Sequence, residues 1–135
     1  MENTLFYPAI FHNAEEGGFW VTFPDIPECL TEGDNISEAY KMAYEALGLA
    51  LSERIKNNES LPVPSSPRTI PVNEDEYPIL VEFNLFEYNK KFNSKSVKKT
   101  LSIPEWMNEK AISMGINFSR VLQEALMEKF DLATH

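Results

Sequence analysis

A short segment interrupted by prolines carries four carboxylate side chains close together in sequence. They are Asp25, Glu28, Glu32 and Asp34. Clustered carboxylates can hold Mg²⁺ in a nuclease site, which is one chemistry that this segment could perform. Catalytic acids need burial or charged neighbours that shift their pKa, whereas acids in a proline-bounded loop are typically solvated. We therefore interpret the four acids as a surface, and we predict no metal and no cofactor.

Cys29 is the only cysteine, so these 135 residues can form neither an internal disulfide nor a cysteine-rich zinc site. The histidines are His12 and His135, and no motif places either of them as a base beside Cys29. A free cysteine without a base usually packs as a small hydrophobic residue. The chain is therefore predicted to bury Cys29 and not to be an enzyme.

Charge is distributed unevenly along the chain. Residues 1–87 contain 16 Asp and Glu against 4 Lys and Arg, a net of −12, whereas residues 88–135 contain 5 against 8, a net of +3. Five lysines share one stretch without an acid: Lys90, Lys91, Lys95, Lys98 and Lys99. This asymmetry predicts separate roles for the two halves. The lysines form either a solvated linker or a contact with nucleic acid.

The composition predicts a folded protein, since 43% of the 135 residues are hydrophobic. That length suits one domain or two small ones. The first residues lack the charge and the apolar run of a signal peptide, and no stretch approaches the ~20 apolar residues that cross a bilayer. We therefore expect a cytoplasmic location and no membrane partner.

Residues 1–87 begin with two runs of strand-forming residues, at 5–11 and 19–23, which enclose a glycine-containing turn. This pattern indicates a β-hairpin. Pro8 predicts an edge or a bulge in the first strand, because proline cannot donate to a ladder. A short third strand is expected at residues 29–32.

The next predicted element is a helix that begins after Asn35, with Ser37 as an alternative cap. Asn35 and Glu38 stand three residues apart, as in a capping box, and alanines and leucines then recur at helical spacing. Residues 77–88 are predicted to form a fourth strand. The domain over residues 1–87 is therefore expected to be α+β, in the order β-β-β-α-β.

A linker is expected at residues 88–95, followed by a second, smaller domain at residues 96–135. Residues 97–103 alternate as a strand, with Leu101 and Ile103 on one side. Two amphipathic helices are predicted, the first with Pro104 at its first position and the second after a break at Gly115. Asn117 or Ser119 is expected to cap the second helix. The order of this domain is β-α-α.

One strand and two short helices cannot enclose a core, and the strand has an open edge. The simplest closed arrangement is a two-fold dimer in which the two strands pair, or a higher even oligomer built from it. A two-stranded ribbon fits the major groove of double-stranded DNA.

The order and spacing of the C-terminal residues resemble the ribbon-helix-helix family of DNA-binding proteins. The matching stretches are Lys98-Lys99-Thr100-Leu101-Ser102-Ile103-Pro104-Glu105, Gly115-Ile116-Asn117-Phe118-Ser119-Arg120 and Leu122-Gln123-Glu124-Ala125-Leu126. The resemblance implies that the alternate strand residues Lys98, Thr100 and Ser102 read bases. It implies that the second helix holds DNA phosphate at its N-terminus, through Asn117, Ser119 and Arg120. An alternative role for Ser102 is a helix cap, since Glu105 stands three residues later.

The N-terminal half resembles the HicB antitoxin family. The matching stretches are Gly18-Phe19-Trp20-Val21-Thr22-Phe23-Pro24-Asp25-Ile26-Pro27-Glu28-Cys29, Thr31-Glu32-Gly33-Asp34, Ser37-Glu38-Ala39 and Leu61-Pro62-Val63-Pro64-Ser65. Glu28 stands where the family commonly has glycine, so the turn at this position departs from the family pattern.

This resemblance implies a type II antitoxin whose N-terminal domain has a partial ribonuclease-H-like fold without catalytic residues. That domain would bind and block HicA, a small basic ribonuclease toxin, and the acidic surplus of residues 1–87 suits such a partner. The C-terminal domain would bind operator DNA as a dimer and repress its own operon. The candidate toxin-binding residues are Trp20, Asp25, Glu28, Glu32 and Asp34.

An alternative function is a ribbon-helix-helix transcriptional regulator whose acidic domain senses a ligand and has no toxin partner. A neighbouring reading frame for a short, basic, histidine-containing protein would favour the antitoxin.

Overall fold

The N-terminal hairpin is present in the computed structural model of the chain, which describes residues 4–134 and the side chains of residues 4–131. Strand β1 (Leu5–Asn13) pairs antiparallel with β2 (Phe19–Thr22). Gly17 and Gly18 turn the chain between them with φ values of 93° and 78°. Residues with a side chain rarely adopt such φ values, so glycine at these two positions permits the turn. The predicted hairpin is confirmed.

The hairpin belongs to a four-stranded antiparallel sheet with the strand order β3-β2-β1-β4. Strand β3 (Leu30–Gly33) lies one residue later than predicted, and β4 is Glu76–Phe83. Strand β1 is an inner strand, so the prediction of an edge at Pro8 is wrong for the strand as a whole. The ladder with β2 covers only residues 10–13, however, and β4 alone pairs with β1 at Pro8.

Helix α1 (Ile36–Lys56) covers one side of this sheet. The Asn35 side chain accepts a hydrogen bond from the Glu38 amide at 2.9 Å, which confirms the predicted cap. The Glu38 carboxylate accepts from the amide of Asp34 instead of that of Asn35. The buried core joins the helix to the sheet and consists of Tyr7, Ala9, Phe11, Val21, Phe23, Ile26, Cys29, Ala39, Ala43, Leu47, Leu51, Val81, Phe83 and Tyr88.

Helix α2 (Leu85–Phe92) replaces the second half of the strand predicted at residues 77–88. Asn84 ends the strand and begins the helix, because its side chain accepts a hydrogen bond from the Glu87 amide at 3.0 Å. The predicted linker at residues 88–95 is also wrong in its first part, since it includes the second half of α2. The first compact unit of the chain ends at Ser94, and the second begins at Lys95.

The second unit contains helices α3 (Glu105–Ser113) and α4 (Phe118–Thr134). Gly115 separates them with a φ of 68°, as expected for a residue that follows a helix. Both predicted helices are confirmed, although Pro104 is the cap residue of α3 and not its first helical residue.

The strand predicted at residues 97–103 does not form within the single chain. A strand is defined by ladder hydrogen bonds, and the partner predicted for this segment is the same segment of a second copy. The described residues of one chain offer it no ladder.

The helices of the second unit leave most of their apolar residues exposed. Among the described side chains of residues 95–131, Ala111 alone is buried. The exposed set is Val97, Leu101, Ile103, Trp106, Met107, Ile112, Met114, Phe118, Val121, Leu126, Met127 and Phe130. Among residues 4–134, no helix combines the length and the apolar character needed to span a bilayer.

Candidate functional site

The side of the sheet opposite α1 carries a row of side chains that crosses all four strands. In register, Glu32 on β3 lies beside Trp20 on β2, Trp20 beside His12 on β1, and His12 beside Glu76 on β4. We call this side the outer sheet face. Its residues are Phe6, Pro8, Ile10, His12, Trp20, Thr22, Leu30, Glu32, Glu76, Pro78, Leu80 and Glu82, of which Pro8 is buried.

His12 holds the centre of the outer sheet face in place. Its Nδ1 lies 2.7 Å from Glu76 Oε2, and its Nε2 lies 2.9 Å from Thr22 Oγ1. The imidazole stacks on the Trp20 indole, with centroids 3.7 Å apart and planes 13° from parallel. This stack fixes one face of a large aromatic side chain that is still 43% exposed.

The Glu76 carboxylate is held in its charged form. The Asn73 amide donates to its Oε1 at 2.8 Å, and this hydrogen bond is the main cause that lowers the pKa of Glu76. The hydrogen bond and charge of His12 lower that pKa further. Glu76 is therefore an anion at neutral pH that orients the ring beneath Trp20.

A pocket of about 730 Å³ opens beside Trp20, between the β1–β2 turn and the start of α1. Its lining includes Trp20, Phe19 and five acids: Glu15, Glu16, Glu32, Asp34 and Glu38. No lysine or arginine lines it. Within the described residues, no group of three or more His, Cys, Asp or Glu side chains is arranged to hold a metal ion. The pocket is suited to a cationic group of a larger partner.

Asp25 lies elsewhere and makes contacts within its own chain. Its carboxylate accepts hydrogen bonds from the Ser65 amide at 2.8 Å and from the Ser65 hydroxyl at 2.5 Å. Tyr7 supports the same segment, because its hydroxyl donates to the Pro62 carbonyl at 2.7 Å. These bonds connect the turn after β2 to the proline-rich segment that follows α1.

Glu28 is likewise engaged within the chain. It forms a bidentate pair with Arg54 near the end of α1, with both nitrogen–oxygen distances at 2.8 Å. A hydrogen bond from its own backbone amide, followed by the bond from Arg54, lowers the pKa of Glu28. The structure therefore groups Trp20, Glu32 and Asp34 at the pocket, and places Asp25 and Glu28 in intramolecular contacts.

Cys29 is buried, as predicted. Burial, and secondarily the charge of Glu28, raises the pKa of its thiol to about 11. A thiol that stays protonated at neutral pH is a poor nucleophile.

The predicted base-reading residues Lys98, Thr100 and Ser102 are all exposed in the irregular segment before α3. The alternative role of Ser102 as a cap is wrong, because Pro104 occupies the cap position of α3 and no side chain caps that helix.

The predicted phosphate-binding residues lie at the start of α4 and are exposed. The Asn117 side chain accepts from the Arg120 amide at 3.0 Å and so caps the helix. Arg120 also pairs with Glu124 at 3.1 Å, and Ser119 lies in the first turn.

His12, Glu76, Phe6 and Leu80 were not candidates in the sequence analysis. Strand alternation places them on the same side of the sheet as Trp20, and that signal was available from the sequence. The sequence does not show which side of the sheet α1 covers, because both sides of β1 carry apolar residues.

Comparison with known proteins identifies the family of the chain. The family model described as a HicB-like antitoxin of bacterial toxin–antitoxin systems matches residues 7–125. Antitoxin HicB 1 of Photorhabdus laumondii is 40% identical over 91 residues, which are 66% of this chain and 56% of the relative. The chain thus spans about half the length of this curated relative. The family model and this relative are named as antitoxins and not as enzymes, which confirms the prediction of a non-enzymatic protein.

Two solved structures are similar over nearly the whole chain. A chain of a toxin–antitoxin complex from Streptococcus pneumoniae is 28% identical, with a TM-score of 0.60, and the match covers 94% of this chain and 99% of that one. The antitoxin HicB of Burkholderia pseudomallei, at 24% identity and a TM-score of 0.54, shares the fold, with 93% and 98% covered. The family match extends over both compact units, and the chain therefore belongs to the HicB-like antitoxin family.

Proposed function

We propose that this protein is the antitoxin of a toxin–antitoxin pair, and that its N-terminal unit binds and blocks a HicA-type ribonuclease toxin. The observation that carries the proposal is the family match over residues 7–125. The similar chain from Streptococcus pneumoniae belongs to a toxin–antitoxin complex.

Charge supports a basic partner for the N-terminal unit. Residues 1–87 have a net charge of −12. Opposite charges across an interface accelerate association and disfavour wrong partners more than they add affinity. A small basic toxin is the partner that this surplus suits.

The second part of the proposal is that the domain predicted at residues 96–135 forms a ribbon-helix-helix dimer that binds operator DNA and represses its own operon. The exposed apolar residues of α3 and α4 support the proposal that this unit associates with a partner chain. Monomers rarely expose so many large apolar side chains in one small unit. Pairing of the 97–103 segments of two copies supplies the ladder that one chain lacks.

In this dimer Lys98, Thr100 and Ser102 read bases, and the start of α4 faces phosphate. The exposure of these side chains in the single chain is compatible with both roles. The Asn117 side chain, the Arg120 amide and the Arg120 guanidinium already have intramolecular partners. We therefore assign the main phosphate contact to the amides of Phe118 and Ser119 and to the Ser119 hydroxyl.

The N-terminal unit is proposed to be a partial ribonuclease-H-like domain without catalysis. The sequence resemblance supports this assignment.

The toxin proposal is tested with the full-length chain and a purified HicA-type toxin. We expect a stable complex in calorimetry and loss of RNA cleavage at one antitoxin per toxin. Full toxin activity in the presence of excess folded antitoxin would overturn the proposal.

The DNA proposal is tested by gel shifts with the native promoter and a scrambled duplex at two salt concentrations. Lys98→Ala should cost about 1–3 kcal/mol on the promoter alone, because a base contact is lost. Ser119→Ala should weaken both duplexes equally, since phosphate contacts carry no sequence information. The absence of any promoter preference in the unaltered protein would contradict the repressor role.

A further inference from the structure

We infer that the outer sheet face of the N-terminal unit is the docking surface for a basic protein, with Trp20 at its centre and the adjoining acidic pocket receiving a lysine or arginine side chain. The inference rests on the proposed function, because it takes the toxin as that basic protein. It assigns the surface and its chemistry, which the proposed function leaves open.

The outer sheet face exposes large apolar side chains at positions where a solvated sheet would carry polar ones. Phe6 is 49% exposed, Trp20 43%, Leu30 64% and Leu80 43%. The opposite side of the same strands is buried beneath α1. Contiguous apolar surface with a polar rim is typical of a protein-binding site.

Apart from His12, the ionisable side chains of this face are acidic. The four strands contain no lysine or arginine, and Glu32, Glu76 and Glu82 lie on the outer sheet face. The pocket beside Trp20 adds Glu15, Glu16, Asp34 and Glu38. The 4 basic residues among residues 1–87 lie on α1 and in the segment after it, as Lys41, Arg54, Lys56 and Arg68. Charge complementarity therefore selects a basic partner for this face.

Trp20 is pre-positioned for such a partner. The stack on His12, and the bonds of His12 to Glu76 and Thr22, hold the indole before any partner arrives. A rigid aromatic side chain loses little entropy on binding, and tryptophan is enriched among residues that dominate interface energy. A cation beside an indole also gains a cation–π attraction.

The remaining acidic candidates do not belong to this surface. Asp25 is bonded to Ser65, and Glu28 is paired with Arg54. A carboxylate already paired with an arginine offers less to an incoming cation. The inference therefore separates two groups of acids that the sequence places within one segment.

The test measures toxin affinity by calorimetry with full-length protein variants and the purified toxin. Glu32→Lys with Asp34→Lys reverses two exposed charges at the pocket and should weaken binding about 100-fold or more. Trp20→Ala should weaken it about 30-fold or more. Phe6→Ser, at the far end of the face, should weaken it about 5-fold.

The matched control is Glu45→Lys with Glu53→Lys, which changes the net charge equally on exposed positions of α1, on the other side of the sheet. It should leave the affinity within about 3-fold of the unaltered protein. Circular dichroism of every variant checks that the fold is retained.

Each outcome has one meaning. If the unaltered protein does not bind the toxin, the proposed function fails. If it binds and the face variants bind equally well, or the control weakens binding as much as they do, the docking surface lies elsewhere while the antitoxin role stands. If Trp20→Ala lowers the oligomeric state and leaves toxin affinity intact, the face joins copies of this chain and the inference is wrong.

Discussion

Gly48 in α1 lies against the ring of Tyr88 on α2. A Cβ atom at Gly48 would stand 2.1 Å from Cδ1 and 2.3 Å from Cε1 of that ring. Gly48→Ala should therefore lower the free energy of unfolding by about 1–3 kcal/mol, although alanine favours a helix. Urea denaturation of the full-length chain measures the change.

The control for Gly48 is the same substitution in a Tyr88→Ala background, where the ring is absent. There it should be neutral or stabilising by up to about 1 kcal/mol. A stabilising effect with the ring in place would show that α2 does not pack against α1 as described.

Asp25 should contribute to stability and not to toxin affinity. Asp25→Ala removes the acceptor for two groups of Ser65, one of them a backbone amide. We expect a loss of about 1–3 kcal/mol in urea denaturation and unchanged toxin affinity at low temperature. The control is Ser65→Ala, which in combination with Asp25→Ala should add little. A large loss of toxin affinity in the folded variant would return Asp25 to the toxin surface.

Cys29 should react slowly with a thiol reagent in the native protein. With a pKa of about 11, roughly one thiol in a thousand is ionised at pH 8, against about one in ten for an ordinary cysteine. Deprotonation favours reaction, so the native rate should rise about tenfold per pH unit from pH 7 to pH 9. Alkylation followed by mass spectrometry should be about 100-fold slower than in denaturant. Equal rates would place Cys29 at the surface.

At the scale of elements, Asn84 decides where β4 ends and α2 begins. It is buried, accepts from the Glu87 amide, and donates to the Thr4 hydroxyl at 3.1 Å. Asn84→Ala should cost about 1–2 kcal/mol in urea denaturation, because both bonds are lost in a buried place.

The comparison for Asn84 is the exposed cap of α1. Asn35→Ala should cost about 1 kcal/mol or less, since water can replace the lost acceptor. If Asn35→Ala lowers the free energy of unfolding more than Asn84→Ala does, burial is not the reason for the contribution of Asn84 to stability.

At the scale of the whole molecule, the buried core and the exposed apolar residues of α3 and α4 belong to different units. The core belongs to the unit that ends at Ser94, whereas α3 and α4 expose their apolar residues. A fragment of residues 1–94 should therefore remain folded and have a lower association state than the full chain in sedimentation. Equal association states for both would place the dimer interface in the N-terminal unit.

The amino-acid sequence by itself determined the elements whose signals are local. Gly17 and Gly18 mark the turn of the hairpin, Asn35 with Glu38 marks the start of α1, and Gly115 separates α3 from α4. Each signal acts within four residues, so it can be recognised without knowledge of the rest of the chain. The prediction failed at α2, because the alternation of β4 continues through Leu85 and conceals the cap at Asn84.

Only the tertiary structure decided which acids form one surface. Asp25 meets Ser65, which is 40 residues away, and Glu28 meets Arg54, which is 26 residues away. Both sides of β1 carry apolar residues, with Tyr7 and Phe11 on one side and Phe6 and Ile10 on the other. The sheet can bury one of these sides beneath α1, and burial of Tyr7 and Phe11 leaves Phe6, Trp20 and their neighbours facing outward. Strand alternation sets the two sides apart, but long-range packing chooses between them.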